Sequence, residues 1–143
     1  MILVAVSGGF DPLHAGHVRL IEAARRLGGD RLVVILNNDA WLLAKKGYVF
    51  QTQSDRMDIL LALKGVDVVI LTDHRPQDPD PSVSRALRSL RPDIFANGGD
   101  RTAANTVEVA VCEEIGCLAV FGIGGGKVQS SSALVAAVRG IHG

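Results

Sequence analysis

Five short runs of Val, Ile and Leu recur along the chain, at ILVAV (2–6), RLVVIL (31–36), VDVVIL (66–71), DIFA (93–96) and CLAVFGI (117–123), and each leads into a stretch with helical spacing of its apolar residues. The runs are continuous rather than alternating, which suits strands covered on both faces. Strands that alternate with helices along a sequence imply βαβ units and a parallel sheet. The expected fold is therefore α/β and Rossmann-like, a doubly wound parallel sheet of five strands in a single domain. The 143 residues are enough for it, since a domain of this size buries roughly two-thirds of its unfolded surface.

The helices carry their own start and stop signals. In the first, over 14–28, Val18, Ile21, Ala24 and Leu27 form a stripe opposite Arg19, Glu22, Arg25 and Arg26, and Gly28-Gly29 ends it. Thr52 with Asp55 resembles a capping box ahead of Met57, Leu60 and Leu61. Asp80-Pro81 is expected to open a helix over 83–90, Asn105 with Glu108 one through Val111 and Ile115, and Ser130 to Ser132 one over 133–139. The proline-rich HRPQDPDP (74–81) reads as a surface loop.

Composition narrows the functional classes. With 48% apolar and 21% charged residues and a formal net charge of +0, the chain lacks the basic excess of a nucleic-acid binder, and no nucleic-acid partner is expected. Its apolar runs fall short of the roughly 20 residues of a membrane span, and Met1 leads straight into a strand-like segment, so a cytoplasmic location without membrane contact is expected. Cys112 and Cys117 are five apart, a spacing of neither a redox pair nor a zinc knuckle, and are read as packed thiols.

The first run continues through Ser7-Gly8-Gly9-Phe10-Asp11-Pro12-Leu13-His14-Ala15-Gly16-His17 into a helix. A glycine turn at the carboxyl end of a strand, facing a helix N-terminus, is where α/β folds bind phosphate: free N–H groups and the positive dipole end favour anions. Gly8, Gly9 and Gly16 are expected to clear room for that phosphate. His14 and His17, three apart at a helix start, share one side and can aim two imidazole donors at one anion. The common nucleotide fingerprints do not fit. No GxGxxG follows the first strand, and Gly122 to Lys127 has Phe121 and Val128 where a P-loop needs glycine and Ser/Thr.

GGFDPLHAGH resembles the GxFDxxHxGH signature of the cytidylyltransferase-like nucleotidylyltransferases. KKG (45–47), DRMDILLALKGVDVVI (55–70), LRPDIFANGGD (90–100) and SSS (130–132) are similar to further family segments, in the same order. The resemblance implies transfer of CMP or AMP from CTP or ATP to a phosphorylated small metabolite, with release of pyrophosphate. It implies that His14 and His17 bind the triphosphate, and that Lys46, with Lys45 as the alternative, reaches the phosphates from the loop after the second strand. It places Arg56 on the β and γ phosphates and Phe10 and Asp11 at the end of the first turn, with Asp11 on acceptor or metal. Asn97, Gly98, Gly99 and Asp100 are implied at base and ribose, and Ser130, Ser131 and Ser132 at β and γ phosphate. A magnesium ion travelling with the nucleotide and a homodimer are implied too. Gly125 stands where many of the family's cytidylyltransferases carry arginine, and RPDIFANGGD is similar to a stretch of its sugar-phosphate adenylyltransferases, which points toward ATP and a sugar phosphate. A non-catalytic nucleotide sensor on the same fold is the alternative reading, and a flavodoxin-like or response-regulator-like domain lacks the acidic cluster it would need after the first strand.

Overall fold

Strands and helices alternate in the order β1 (Leu3–Gly8), α1 (Ala15–Arg25), β2 (Arg31–Leu36), α2 (Asp39–Lys46), α3 (Gln53–Ala62), β3 (Val68–Leu71), α4 (Ser84–Leu90), β4 (Ile94–Ala96), α5 (Val109–Ile115) and β5 (Leu118–Val120) in the computed structural model. It describes residues 1–99 and 101–125. The helix expected over 133–139, with Ser130 to Ser132 ahead of it, lies outside the described residues.

All strand pairs are parallel, in the order β3-β2-β1-β4-β5, so the chain reverses its direction of travel between β1 and β4. Strand alternation splits the core in two. Val4, Val6, Leu32, Val34, Leu36, Ile94 and Ala96 meet Ile21 and Ala24 of α1, Leu27 just after it and Leu60 of α3, while Ala5, Ile35 and Phe95 meet Leu87 of α4 and Val111 and Cys112 of α5. Thus α1 and α3 cover one face and α4 and α5 the other. Each buried leucine or isoleucine contributes about 1.5–3 kcal/mol of transfer free energy. Both cysteines are free and buried in the second cluster, as read from their spacing.

Three aspartates pin the register at the amino edge. Asp30, Asp67 and Asp93 each stand just before a strand, and each accepts from a backbone N–H of the neighbouring strand: Ile2 at 2.7 Å, Leu32 at 2.8 Å and Leu3 at 2.8 Å.

Several boundaries move for local reasons. Residues 39–46, read as loop, form α2: the Asn38 side chain accepts from Trp41 N–H, Asp39 opens the first turn, and Gly47 ends the helix at φ 83°. Asp80 does not cap α4; its carboxylate accepts from Ser82 N and Oγ, and the helix starts later, after Val83. Nor does Asn105 cap α5, because its Oδ1 accepts backwards from Thr102 N–H and the helix begins at Val109. Thr52 does cap α3, accepting from Asp55 N–H. The last strand stops at Val120 because Gly122 turns at φ 71° and Ile123 N–H bonds to the Asn97 carbonyl. The 74–81 segment is anchored by a buried His74, whose Nδ1 and Nε2 lie 2.7 Å from Thr72 Oγ1 and 2.9 Å from the Ser82 carbonyl.

Candidate active site

The turn from β1 into α1 is built around the two histidines. His14 is the N-cap residue in extended conformation, and its Nδ1 accepts from Gly16 N–H at 3.0 Å. His17, one turn on, returns the interaction: its Nδ1 accepts from His14 N–H at 3.2 Å, completing a capping box made of imidazoles. The rings lie 3.9 Å apart, tilted by 30°. A ring nitrogen that accepts carries no proton, so in the neutral imidazoles the proton sits on Nε2. Each ring therefore keeps an Nε2–H donor, above a helix start without an acidic residue in its first turn.

Gly16 makes room for the His14 ring, since a Cβ there would meet His14 Cε1 at 2.8 Å and push the ring off the helix start. Phe10, at the end of the first turn, is buried at 3% exposure and sits edge-on beneath His17, ring centres 4.9 Å apart. Its φ of 50° lies in the left-handed region, a conformation costing of order 1–3 kcal/mol outside glycine, which the buried ring holds in place. Gly8 and Gly9 are half-buried; a Cβ on Gly8 would reach the Phe10 ring at 3.2 Å, and one on Gly9 would reach Leu42 at 3.1 Å and Trp41 at 3.2 Å. Both glycines therefore serve close packing of the turn.

Burial pushes the His17 imidazole down to about 4 from its usual 6.5, with the neighbouring His14 and Lys46 adding in the same direction. His17 is thus a neutral donor at pH 7. The unfolded chain takes up a proton near pH 6.5 that the folded chain refuses until about pH 4. Stability from this group is complete above pH 6.5 and declines as the pH falls toward 4. Urea unfolding followed between pH 7 and pH 4 is expected to show a falling midpoint, with a shallower fall in His17→Gln; equal slopes in the two proteins would remove the assignment.

Lys46 is the last residue of α2, and its Nζ donates to the Asp11 carbonyl at 2.7 Å, which brings it to the histidine turn. Lys45 instead lies over the Trp41 ring, 5.7 Å from its centre. The Asp11 carboxylate is buried at 5% exposure and accepts from Phe50 N–H at 2.8 Å and Gln51 N–H at 2.7 Å, tying segment 47–51 to the turn. Gln51 adds a second tie, its Oε1 accepting from Leu13 N–H.

Arg56 stands on α3. Its guanidinium is 0% exposed and faces no open cleft. Nε donates to the Gln51 carbonyl at 2.9 Å, Nη1 to the carbonyls of Gly9 and Asn37 at 2.7 Å each, and Nη2 to Asp39 Oδ1 at 2.7 Å. It joins the loops after β1, β2 and α2, a hub beneath the histidine turn. Asp39 and Asn37, its partners, were not singled out in the sequence; the side-chain charge of Asp39 next to a helix start was the available signal.

Across the switch point, Asn97 is buried and its Nδ2 donates to the carbonyls of Phe95 and Val120 at 3.2 Å each, bridging β4 and β5. Gly98 passes close to Leu20 of α1, where a Cβ would come within 3.0 Å of Cδ1, and Gly99, at φ 61° and exposed, has open space around it. Asp100, Ser130, Ser131 and Ser132 lie outside the described residues. A cavity of about 220 Å³ lined by Arg25, Asp30, Arg31 and Asp67 lies at the opposite, amino edge of the sheet and contains none of the histidine or lysine donors.

Residues 5–115 match the family described as cytidylyltransferase-like, a span that holds both histidines, Lys46 and Arg56. The chain belongs to the cytidylyltransferase-like family. This cytidylyltransferase-like chain is 42% identical over 121 residues to the bifunctional protein HldE of Streptomyces coelicolor, covering 83% of the chain and 25% of that protein. It is 31% identical over 140 residues to the HldE of Wolinella succinogenes, covering 96% and 27%. It therefore spans about a quarter of the length of these relatives. Among solved structures, the lipopolysaccharide core biosynthesis protein of Thermoplasma volcanium superposes with a TM-score of 0.65 at 26% identity, covering 90% of this chain and 99% of that one. The cytidylyltransferase-like family uses a Rossmann-like parallel sheet, and the five strands here form one. Among the described residues, no helix is long and apolar enough to cross a membrane.

Proposed function

We propose that the chain is a nucleotidylyltransferase that moves AMP or CMP from the triphosphate to a sugar phosphate and releases pyrophosphate. The observation that carries this reading is the pair of Nε2–H donors on His14 and His17, locked by their capping box at the start of α1 with Lys46 beside them. An acceptor phosphate oxygen is already an anion, so its attack on the α-phosphorus needs neither a protein nucleophile nor strong base catalysis. The O–P bond forms as the bond to the pyrophosphate oxygen breaks, and charge builds on the non-bridging α oxygens and the leaving group. Fixed imidazole donors and an ammonium group suit that charge. Among the described residues the Lys46 ammonium is held by one carbonyl, which leaves two further N–H bonds to give.

Among the described residues no three His, Cys, Asp or Glu are grouped to hold a metal, and Asp11 is spent on backbone amides. Magnesium fits here as an ion carried by the triphosphate, where it would offset the phosphate charge. The likeness to a protein named for lipopolysaccharide core biosynthesis supports a sugar phosphate acceptor, and the resemblance of RPDIFANGGD to the sugar-phosphate adenylyltransferases supports ATP. Pyrophosphate release screened with ATP and CTP against heptose 1-phosphate, mannose 1-phosphate, glycerol 3-phosphate, ribitol 5-phosphate, phosphoethanolamine and FMN is expected to give turnover with ATP and one of the sugar phosphates. Triphosphate binding without turnover in any pairing would favour the sensor reading.

A further inference from the structure

Three asparagines stand at the carboxyl edge of the sheet, and the side chains of two are bonded to neighbouring segments. Asn38 accepts from Trp41 N–H and donates to the carbonyls of Thr72 and His74; Asn97 bridges the ends of β4 and β5. Asn37 differs. It is 4% exposed, and its Oδ1 is a buried oxygen with no hydrogen-bond partner among the described residues. An unmet buried acceptor costs about 1–3 kcal/mol, an expense that folding alone has no reason to retain.

The backbone of Asn37 is held firmly. Its N–H donates to the Gly8 carbonyl at 2.9 Å, extending the β1–β2 ladder one residue past the strand, and its carbonyl is gripped by Arg56 together with that of Gly9. Alternation along β2 sets the direction of the side chain. Leu36 packs in the α1–α3 cluster and Ile35 in the α4–α5 cluster, so Asn37 emerges on the α4–α5 face, beside the glycine turn. His14 caps α1 and His17 lies in its first turn, over Phe10 of the α1–α3 cluster. An acceptor that reaches a triphosphate on the histidines comes in over this carboxyl edge, where Asn37 stands beside the glycine turn, with the entering and leaving oxygens on opposite sides of the α-phosphorus. The polar groups next to it there, Thr72 and His74, are already bonded to each other.

We infer that Asn37 is a specificity-determining residue for the acceptor, its carboxamide turning about the soft terminal torsion to meet a hydroxyl of a polyhydroxylated phosphate ester. This rests on the transferase reading above.

The test compares wild type with Asn37→Ala and Asn37→Val. Heptose 1-phosphate, mannose 1-phosphate and ribitol 5-phosphate are titrated by calorimetry in the presence of a non-hydrolysable triphosphate, and steady-state KM values are measured for any acceptor that turns over. Both variants are expected to bind the sugar phosphate about tenfold or more weakly, with the triphosphate constant within twofold of wild type. Because an unmet buried oxygen is removed, the thermal midpoint of Asn37→Val is expected to hold or rise, an outcome that a structural asparagine would not give. Unchanged acceptor affinity, a parallel loss for both substrates, or no sugar phosphate binding to wild type overturns the inference. Binding without pyrophosphate release, weakened by the variants, overturns the transferase reading while leaving the acceptor contact standing.

Discussion

His17→Ala is expected to lower kcat by roughly 10²–10³-fold, the range found when one fixed donor to a developing oxyanion is removed. His14→Ala should fall in the same range and lose stability as well, since it also withdraws the acceptor from Gly16 N–H. The two losses should not add, because each ring orients the other through the capping box. Glutamine and asparagine separate the roles of the ring nitrogens. Gln can place an N–H near the Nε2 position and should retain more turnover at position 17 than Asn, which mimics only Nδ1. Gly16→Ala leaves both histidines in place but drives a methyl into the His14 ring, and should lose nearly as much as His14→Ala. Pyrophosphate release at saturating substrates measures all of these. A His17→Ala protein with undiminished kcat would remove the donor mechanism.

Arg56→Ala is expected to destabilise the fold by about 3–5 kcal/mol, the scale for breaking one side of a buried charged cluster, which for a chain of this length lowers the thermal midpoint by roughly 10 °C or more. The guanidinium satisfies the carbonyls of Gly9, Asn37 and Gln51 and faces Asp39, and its loss leaves all four groups short of a partner. Arg56→Lys should recover only part, since a lysine presents one nitrogen where arginine spreads donors over three. If Arg56 instead gripped the β and γ phosphates, as the family resemblance implies, Arg56→Lys would keep its melting temperature and lose nucleotide affinity. A thermal melt and a triphosphate titration on the same sample separate these outcomes.

The features legible in the sequence are those set by neighbours along the chain. The apolar runs bury whichever way the chain turns, so five strands and the helices after most of them could be read directly. The pairing of His14 with His17 across Gly16 is likewise local: three residues of helix geometry bring the rings together. Thr52 could be read as a cap for the same reason, whereas Asp80 and Asn105 could not, because a nearer turn N–H captured each oxygen before the helix began. The short α2 was missed although Asn38, Asp39, Lys45, Lys46 and Gly47 carry its end signals. Eight residues give too few apolar positions for a period to show.

What the tertiary structure alone decided is where side chains of similar chemistry are spent. Arg56, Asp11 and Phe10 look alike in sequence whether they touch a ligand or hold a loop. Only the convergence of the segments after β1, β2 and α2 turns Arg56 onto three carbonyls, Asp11 onto the amides of Phe50 and Gln51, and Phe10 beneath His17. Asn37, Asn38 and Asn97 make the same point in reverse: one residue type stands at one sheet edge, two are bonded and one is unmet, a difference that depends on atoms up to 36 positions away. Local sequence carries the period, the turn and the cap, because these need only adjacent backbone. Partner choice for a buried polar group depends on which distant carbonyl or amide the fold delivers to it.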